Sequence, residues 1–364
     1  MPEYKFPFED LPYFGCNVSL NKLLAVACTN LEESLRKIAP RLSDLGMSPY
    51  SQRYMDVVFG RPFRRHYNLT KYSHILSHAL ESYHPAQLSE LTVVDYGGGH
   101  GVLSLIARKI GVGTVVHSEI FPTSSQDAQI LVRAVGAKPG PFFLGDTHDF
   151  RREMDAAKLK ADVIVNYDVL EHVYNLRQYF IDLHAATKSG GRWFMGSGAN
   201  FYLESERQTF HNLHAQSEGE LGDGNPSAYA NVRAQIVREY APSLLPAEVR
   251  DLAIATRGWR REDIERAVDI YLSSGHLVRY CPAENNTADP RNGNWAEHTV
   301  PFEVYTDSPV LNALSKSIEM LPAPLWNPFI MDDAEGMAHW NKVAKGDREN
   351  ALRLSPYYCL DVRF

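Results

Sequence analysis

A chain of 364 residues, 44% hydrophobic and 22% charged, exceeds one ordinary domain and is too apolar to be disordered. Its formal net charge of −7 argues against a phosphate-tracking surface, and the nearest thing to a basic patch is the short run Arg61-Pro62-Phe63-Arg64-Arg65-His66. The N-terminus lacks a basic segment followed by an apolar run, and no uncharged stretch is long enough to span a bilayer, so a cytoplasmic protein with neither membrane nor nucleic-acid partner is expected.

The first 85 or so residues read as helices and loops. Leu20, Leu23, Leu24, Ala27, Leu31 and Leu35 recur at helical spacing, and Ile75, Leu76, Ala79 and Leu80 mark a later helix. From Leu91 the pattern turns to short apolar runs alternating with amphipathic helices. Strands are predicted over Leu91–Asp95, Thr114–Glu119, Phe142–Leu144, Ala161–Asn166 and Gly191–Gly196. Between them, Val102, Leu105, Ile106 and Ile110 share a helical face, as do Ala128, Leu131, Val132 and Val135, and Tyr174–Lys188 reads as helix. This alternation predicts an α/β fold, a doubly wound and mostly parallel sheet.

After Ser197 the alternation stops. Tyr229, Val232, Ile236 and Tyr240 predict one helix; Val249, Leu252 and Ala253, behind Pro246, predict a second. Ile264, Val268, Tyr271 and Leu272, closed by Gly275, predict a third. A polar loop covers 281–295, and strands are expected again at Ser317–Leu321 and Tyr357–Val362. The organisation expected is therefore a helical N-terminal cap over 1–85, a core over 86–196 and 291–364, and a helical insertion over 197–290.

The first strand of that core runs into Asp95-Tyr96-Gly97-Gly98-Gly99-His100-Gly101, where glycines permit a tight turn and close approach of backbone to a ligand. The second strand ends in Glu119, placed to accept hydrogen bonds from ribose hydroxyls. The third is followed by Gly145-Asp146-Thr147, and the fourth runs into Asn166-Tyr167-Asp168-Val169-Leu170-Glu171-His172-Val173. A dinucleotide loop would read Gly-x-Gly-x-x-Gly, yet counting from Gly97 puts Val102 at its third glycine, which argues against an oxidoreductase.

In that order these motifs resemble class I S-adenosylmethionine-dependent methyltransferases, and the Leu-Glu-His-Val stretch is similar to the ubiquinone-biosynthesis-like branch. The resemblance covers about 91–196 well and the C-terminal part only loosely. It implies a Rossmann-like sheet of seven strands, the last antiparallel, with S-adenosylmethionine as cofactor and S-adenosylhomocysteine as product. It further implies that Asp95 helps hold the methionyl amino group and that Gly97, Gly99 and Gly101 pass under the methionyl part. Glu119 would take the ribose, Ile120 cover an adenine face, and Asp146 bond the adenine amino group, with Thr147, Asn166 and Tyr167 completing the cofactor set.

The reaction so implied is methyl transfer, by in-line displacement, to an O or N atom of a small molecule. A protein- or RNA-directed methyltransferase and a catalytically silent binding subunit are the alternatives. His172 and His298 are the candidate bases, since histidine titrates near neutrality. Glu171-His172 and Asp146-x-His148 each offer only two ligands, short of a metal site, so no metal is expected. The insertion, rich in aromatics, is expected to cover a small-molecule acceptor, and a homodimer remains open as an assembly state.

Overall fold

Runs of β-branched and aromatic residues make the strands of a seven-stranded sheet: β1 Thr92–Tyr96, β2 Thr114–Glu119, β3 Phe142–Leu144, β4 Ala161–Tyr167, β5 Thr187–Ser197, β6 Ser317–Pro322 and β7 Tyr358–Arg363. The computed structural model describes residues 14–222, 224–226, 228–278, 301–323, 339, 342 and 346–364. The strand order is β3-β2-β1-β4-β5-β7-β6. β1 pairs in parallel with both β2 and β4, so the strand order reverses beside β1. Only β7 runs against its neighbours, antiparallel to β5 and to β6. This is the sheet that the resemblance implies.

The crossover helices are α4 Val102–Lys109, α5 Pro122–Ala134, α6 Thr147–Ala156 and α7 Leu176–Ala186. The helix expected over Tyr174–Lys188 is shorter at both ends. At its C-terminus the backbone passes directly into β5 at Thr187, whose hydroxyl donates to Leu183 O (2.7 Å) and accepts from Trp193 Nε1 (2.8 Å). Those two bonds offer the chain an alternative to another helical turn.

Three helices precede the sheet: α1 Val18–Ile38, α2 Pro49–Phe59 and α3 Pro62–Ala79. Asn17 caps α1 and Ser48 caps α2, each side chain accepting a backbone N–H of the first turn. They share one core with the sheet, in which Leu20, Leu31, Leu69 and Ile75 join Val93, Val163, Val165 and Phe194. Leu23, predicted on the buried face of α1, is exposed.

α3 is the unusual element. From Arg65 to Ala79 every residue is buried, although the helix carries His66, Asn68, Lys71, Ser73, His74, Ser77 and His78. Burial of so many polar groups is tolerable only when partners are supplied. Asn68 Nδ2 donates to Val58 O and Arg64 O, Ser77 Oγ to Asn21 Oδ1, and His74 Nδ1 meets Tyr357 Oη at 3.0 Å.

The chain divides into two compact units: Met1–Val169, Phe180–Gly198 and Thr306–Phe364 form one, Leu170–Tyr179 and Ala199–Tyr305 the other. The second unit thus takes in 170–179 and 301–305 besides most of the expected insertion. It is helical, with α8 Glu204–Glu218, α9 Tyr229–Tyr240, α10 Pro246–Ala255 and α11 Arg261–Ser274. Ile236, Val237, Val249, Leu252, Trp259, Ile264 and Val268 make its core. Arg233 is buried there, donating from Nε to Ala253 O (2.7 Å) and from Nη1 to Glu218 Oε2 (3.0 Å). Tyr240 and Leu272, predicted on buried faces, are exposed; Tyr240 turns its hydroxyl to Asp269 instead.

Among the described residues no helix is long and apolar enough to cross a membrane, and no cluster of three or more metal-ligating side chains occurs.

Candidate active site

β1 ends at Tyr96, and the chain reaches α4 through Gly97–Gly101 with positive φ at Gly97 (66°), Gly99 (51°) and Gly101 (77°). Side chains rarely adopt that conformation. The loop is tied down from β2, with Gly98 N donating to Ser118 O (3.0 Å) and Gly99 N to Glu119 Oε2 (2.8 Å). A Cβ on Gly97 would lie 2.4 Å from Val169 Cγ2, whereas one on Gly99 would meet nothing within 4 Å. The loop is therefore packed against the chain leaving β4 on one side and open above Gly99.

Glu119 is 5% exposed. Its Oε1 accepts from Phe121 N (2.9 Å), and Ile120 N adds a further backbone donor. Burial raises its pKa, and these three N–H groups oppose that rise. A carboxylate has about four lone-pair sites, so capacity remains for a ligand hydroxyl. Ile120 follows directly and is half-buried.

Asp95 is 2% exposed, and its Oδ2 accepts from both Ser104 N (2.9 Å) and Ser104 Oγ (2.7 Å). Burial drives its pKa up to about 6 against those two bonds, with the charge of Glu119 adding to the rise. The carboxyl thus fastens β1 to the first turn of α4. His117 Nδ1 lies 3.9 Å from Asp95 Oδ2, but burial, helped by Arg108 and His100, drops the imidazole to about 3, so it is neutral there at physiological pH.

α2 lies over the same loop. The ring of His100 stacks on Tyr54 (4.2 Å between centroids, 13°) and its Nε2 meets Ser51 Oγ at 2.8 Å. Ser48 Oγ donates to Asp127 Oδ2 (2.5 Å), which ties the start of α2 to α5.

Asp146 is the N-cap of α6, its Oδ1 accepting from His148 N (2.9 Å) and Asp149 N (3.2 Å), with Thr147 as the first helical residue. Asn166 is fully buried within β4, and Tyr167 ends that strand. Asp95, Gly97, Gly99, Gly101, Glu119, Ile120, Asp146, Thr147, Asn166 and Tyr167 all fall in the first unit. His172 ends a short 3-10 helix, Leu170–His172, that belongs to the second unit. His298 lies outside the described residues.

Two residues that the sequence reading did not single out also lie at the end of β4. Asp168 holds φ at +56°, an uncommon conformation for a non-glycine residue and a mark of functional strain elsewhere. Its Oδ1 accepts from Gly198 N (2.7 Å), which joins the ends of β4 and β5. Lys71 of α3 sets Nζ 3.7 Å from the centroid of the Tyr167 ring and 5.0 Å from that of Tyr72. The positive φ has no sequence signature beyond Asp tolerating it, and a lysine in a polar-looking helix reads as surface.

The buried acid after β2, its hold on Gly99 and the open space above that glycine fit a ribose-bearing ligand seated on the loop, as S-adenosylmethionine would be. Residues 63–222 match the family model described as a methyltransferase domain. No curated protein matches the chain. Among solved structures, one concerned with the conversion of a disulfide bond into a thioacetal group during echinomycin biosynthesis is 25% identical, aligned over 34% of this chain and 51% of its own, with a TM-score of 0.27. The ribosomal protein L11 methylase from Lactobacillus delbrueckii subsp. bulgaricus is 19% identical over 39% and 68%, with a TM-score of 0.29. Geranyl diphosphate methyltransferase, in complex with GPP and sinefungin, is 15% identical over 35% and 48%, with a TM-score of 0.24. The chain spans about half the length of the first and last of these, and such partial likenesses carry no argument about its substrate. The sheet order and the glycine loop, which lies within residues 63–222, agree with that match to a methyltransferase domain.

Proposed function

We propose that this chain is an S-adenosylmethionine-dependent methyltransferase acting on an oxygen or nitrogen of a small molecule. The observation that carries the reading is the clamp between Glu119 and the N–H of Gly99, beneath open space at the carboxyl ends of β1 and β2. When bound, S-adenosylmethionine supplies a methyl carbon whose bond to sulfur breaks, with its electron pair kept on sulfur, as the acceptor's lone pair bonds the carbon.

The chain's own task is placement. Holding two reactants in near-attack geometry contributes up to roughly 7–11 kcal/mol in favourable cases. Glu119 accepts the ribose hydroxyls, the glycine loop lets the methionyl portion approach its backbone, and Asp146 offers its Oδ2 beyond the cap it makes through Oδ1. Asp95 acts through Ser104, holding the loop in register with α4. The net charge of −7 supports a small acceptor over a nucleic acid.

Calorimetric titration with S-adenosylmethionine and S-adenosylhomocysteine tests the cofactor, and micromolar binding of both is expected. Incubation with methyl-labelled cofactor and a metabolite extract, followed by mass spectrometry, tests the acceptor. Label confined to protein or RNA would overturn the small-molecule reading; binding with no transfer to any fraction would indicate a silent subunit.

A further inference from the structure

We propose that Lys71, framed by Tyr67, Tyr72 and Tyr167, binds the methyl acceptor as an oxyanion of phenolate or enolate type. This rests on the methyltransferase reading and names the acceptor chemistry of the same site.

Lys71 lacks the partners that a buried ammonium ordinarily has. It is 7% exposed on a helix buried on all sides, and among the described residues its ammonium makes no hydrogen bond and no ion pair within contact distance. Buried lysines are ordinarily paired with carboxylates or carbonyls, because an ammonium taken from water is costly unless compensated. Here the compensation comes from ring faces, with Nζ 3.7 Å from the centroid of Tyr167, 5.0 Å from that of Tyr72 and 5.9 Å from that of Tyr67. Aromatic faces attract a cation but leave its N–H donors unspent. The charge of Asp168 also acts on Lys71, though its Oδ1 is engaged by Gly198 N.

Tyr167 closes β4 next to β1, and Val169 presses on Gly97. On the other side the Tyr72 hydroxyl interacts with that of Tyr54, and Tyr54 stacks on His100 of the glycine loop. Lys71 therefore belongs to a continuous wall that starts and ends on the glycine loop. That wall stands at the carboxyl ends of β1 and β4, where the strand order reverses and open α/β sheets bind ligands.

The kind of oxyanion follows from the donor count. A carboxylate presents two oxygens and about four lone-pair sites, which one ammonium cannot satisfy. A phenolate or enolate concentrates its charge on one oxygen and carries a flat conjugated body suited to tyrosine rings. The acceptor's hydroxyl proton passes to bulk water as the oxyanion forms beside the ammonium. Burial lowers the Lys71 pKa to about 8, opposed by Asp168, so the group remains mostly cationic near neutrality. The titratable groups facing it are Tyr67 and Tyr72 of α3 together with Tyr167 and Asp168 after β4.

The test uses the full chain and 4-nitrophenol, whose phenolate absorbs in the visible and whose neutral form does not. At a pH where the free phenol is mostly protonated, wild-type protein saturated with S-adenosylhomocysteine should bind the probe and shift it to the phenolate band. Lys71→Met should weaken that binding about tenfold or more, the weight of one charge-assisted hydrogen bond, while S-adenosylhomocysteine binds within twofold of wild type. Probe bound by wild type as the neutral phenol, or not bound at all, overturns the proposal whether or not the variant folds. Unchanged phenolate affinity in Lys71→Met does the same. A wild-type protein that fails to bind S-adenosylhomocysteine would instead strike at the methyltransferase reading, and the probe titration in its absence would still judge Lys71.

Discussion

Glu119 holds the glycine loop and, in the proposed function, takes the ribose, so one substitution removes both. Its carboxylate holds Gly99 N and Phe121 N, and it is the only acid placed at the end of β2. Glu119→Ala should raise the dissociation constant for S-adenosylhomocysteine more than tenfold by calorimetry. It should also leave those buried N–H groups without partners, a loss of about 1–3 kcal/mol read by chemical denaturation. Unchanged affinity would mean that the ribose lies elsewhere. The position of Glu119 at the end of the second strand was legible from sequence, because the strand pattern stops there. The position of Asp95 was legible, but not its bonds from Ser104. The bonds from Ser104 depend on how the first turn of α4 meets β1, a tertiary fact that the loop motif does not encode. Lys71 was invisible for the opposite reason, since its neighbours along the chain carry no apolar stripe to announce burial.

The glycine loop behaves as an element in which equivalent-looking positions carry different constraints. Gly97 and Gly99 both hold positive φ, and an alanine at either costs about 1–2 kcal/mol in backbone strain. At Gly97 the added methyl would also collide with Val169 Cγ2, while at Gly99 it would enter open space. Gly97→Ala should therefore lower the denaturation midpoint distinctly more than Gly99→Ala. Gly99→Ala should fold and yet lose affinity for S-adenosylhomocysteine, because its methyl occupies the ligand's side of the loop. Equal destabilisation by the two would show that Val169 yields without cost. The tie between α2 and α5 belongs to this scale as well. Ser48→Ala removes both the cap of α2 and the bond to Asp127, and a loss of about 1–2 kcal/mol is expected. Nothing in the run before Pro49 discloses that second partner, which lies in a helix far along the chain.

Across the whole molecule, the parts read most faithfully from sequence were those whose pattern is set by local periodicity: the alternation from Thr92 to Ser197 and the closing strands. The departures came where tertiary packing outweighed pattern, at the fully buried α3, at the early start of β5 and at the exposed Tyr240 and Leu272. The same polar burial gives the first unit a measurable acid sensitivity. His66 and His100 are held down to about 4 and His117 to about 3, in each case mainly by burial, against an ordinary value of 6.5. Each binds fewer protons folded than unfolded between those values, so stability falls as pH drops below 6.5 and the loss is complete only near pH 3. For His117 alone the full window is worth on the order of 5 kcal/mol. Asp95 acts in the other direction. Its pKa is raised to about 6, so the folded state binds more protons than the unfolded one between about pH 4 and 6, and its contribution grows as pH falls through that range. Glu119, raised likewise by burial, adds to the same side, but the three histidine windows outweigh the two carboxyls and the melting temperature should decline from pH 6.5 to pH 4. Asp95→Asn removes one opposing contribution, and its melting curve should fall more steeply with acid than wild type between pH 6 and pH 4. His117→Phe should flatten the decline. A wild-type melting temperature that stays level or rises over this interval would mean that these imidazoles are hydrated or paired when protonated.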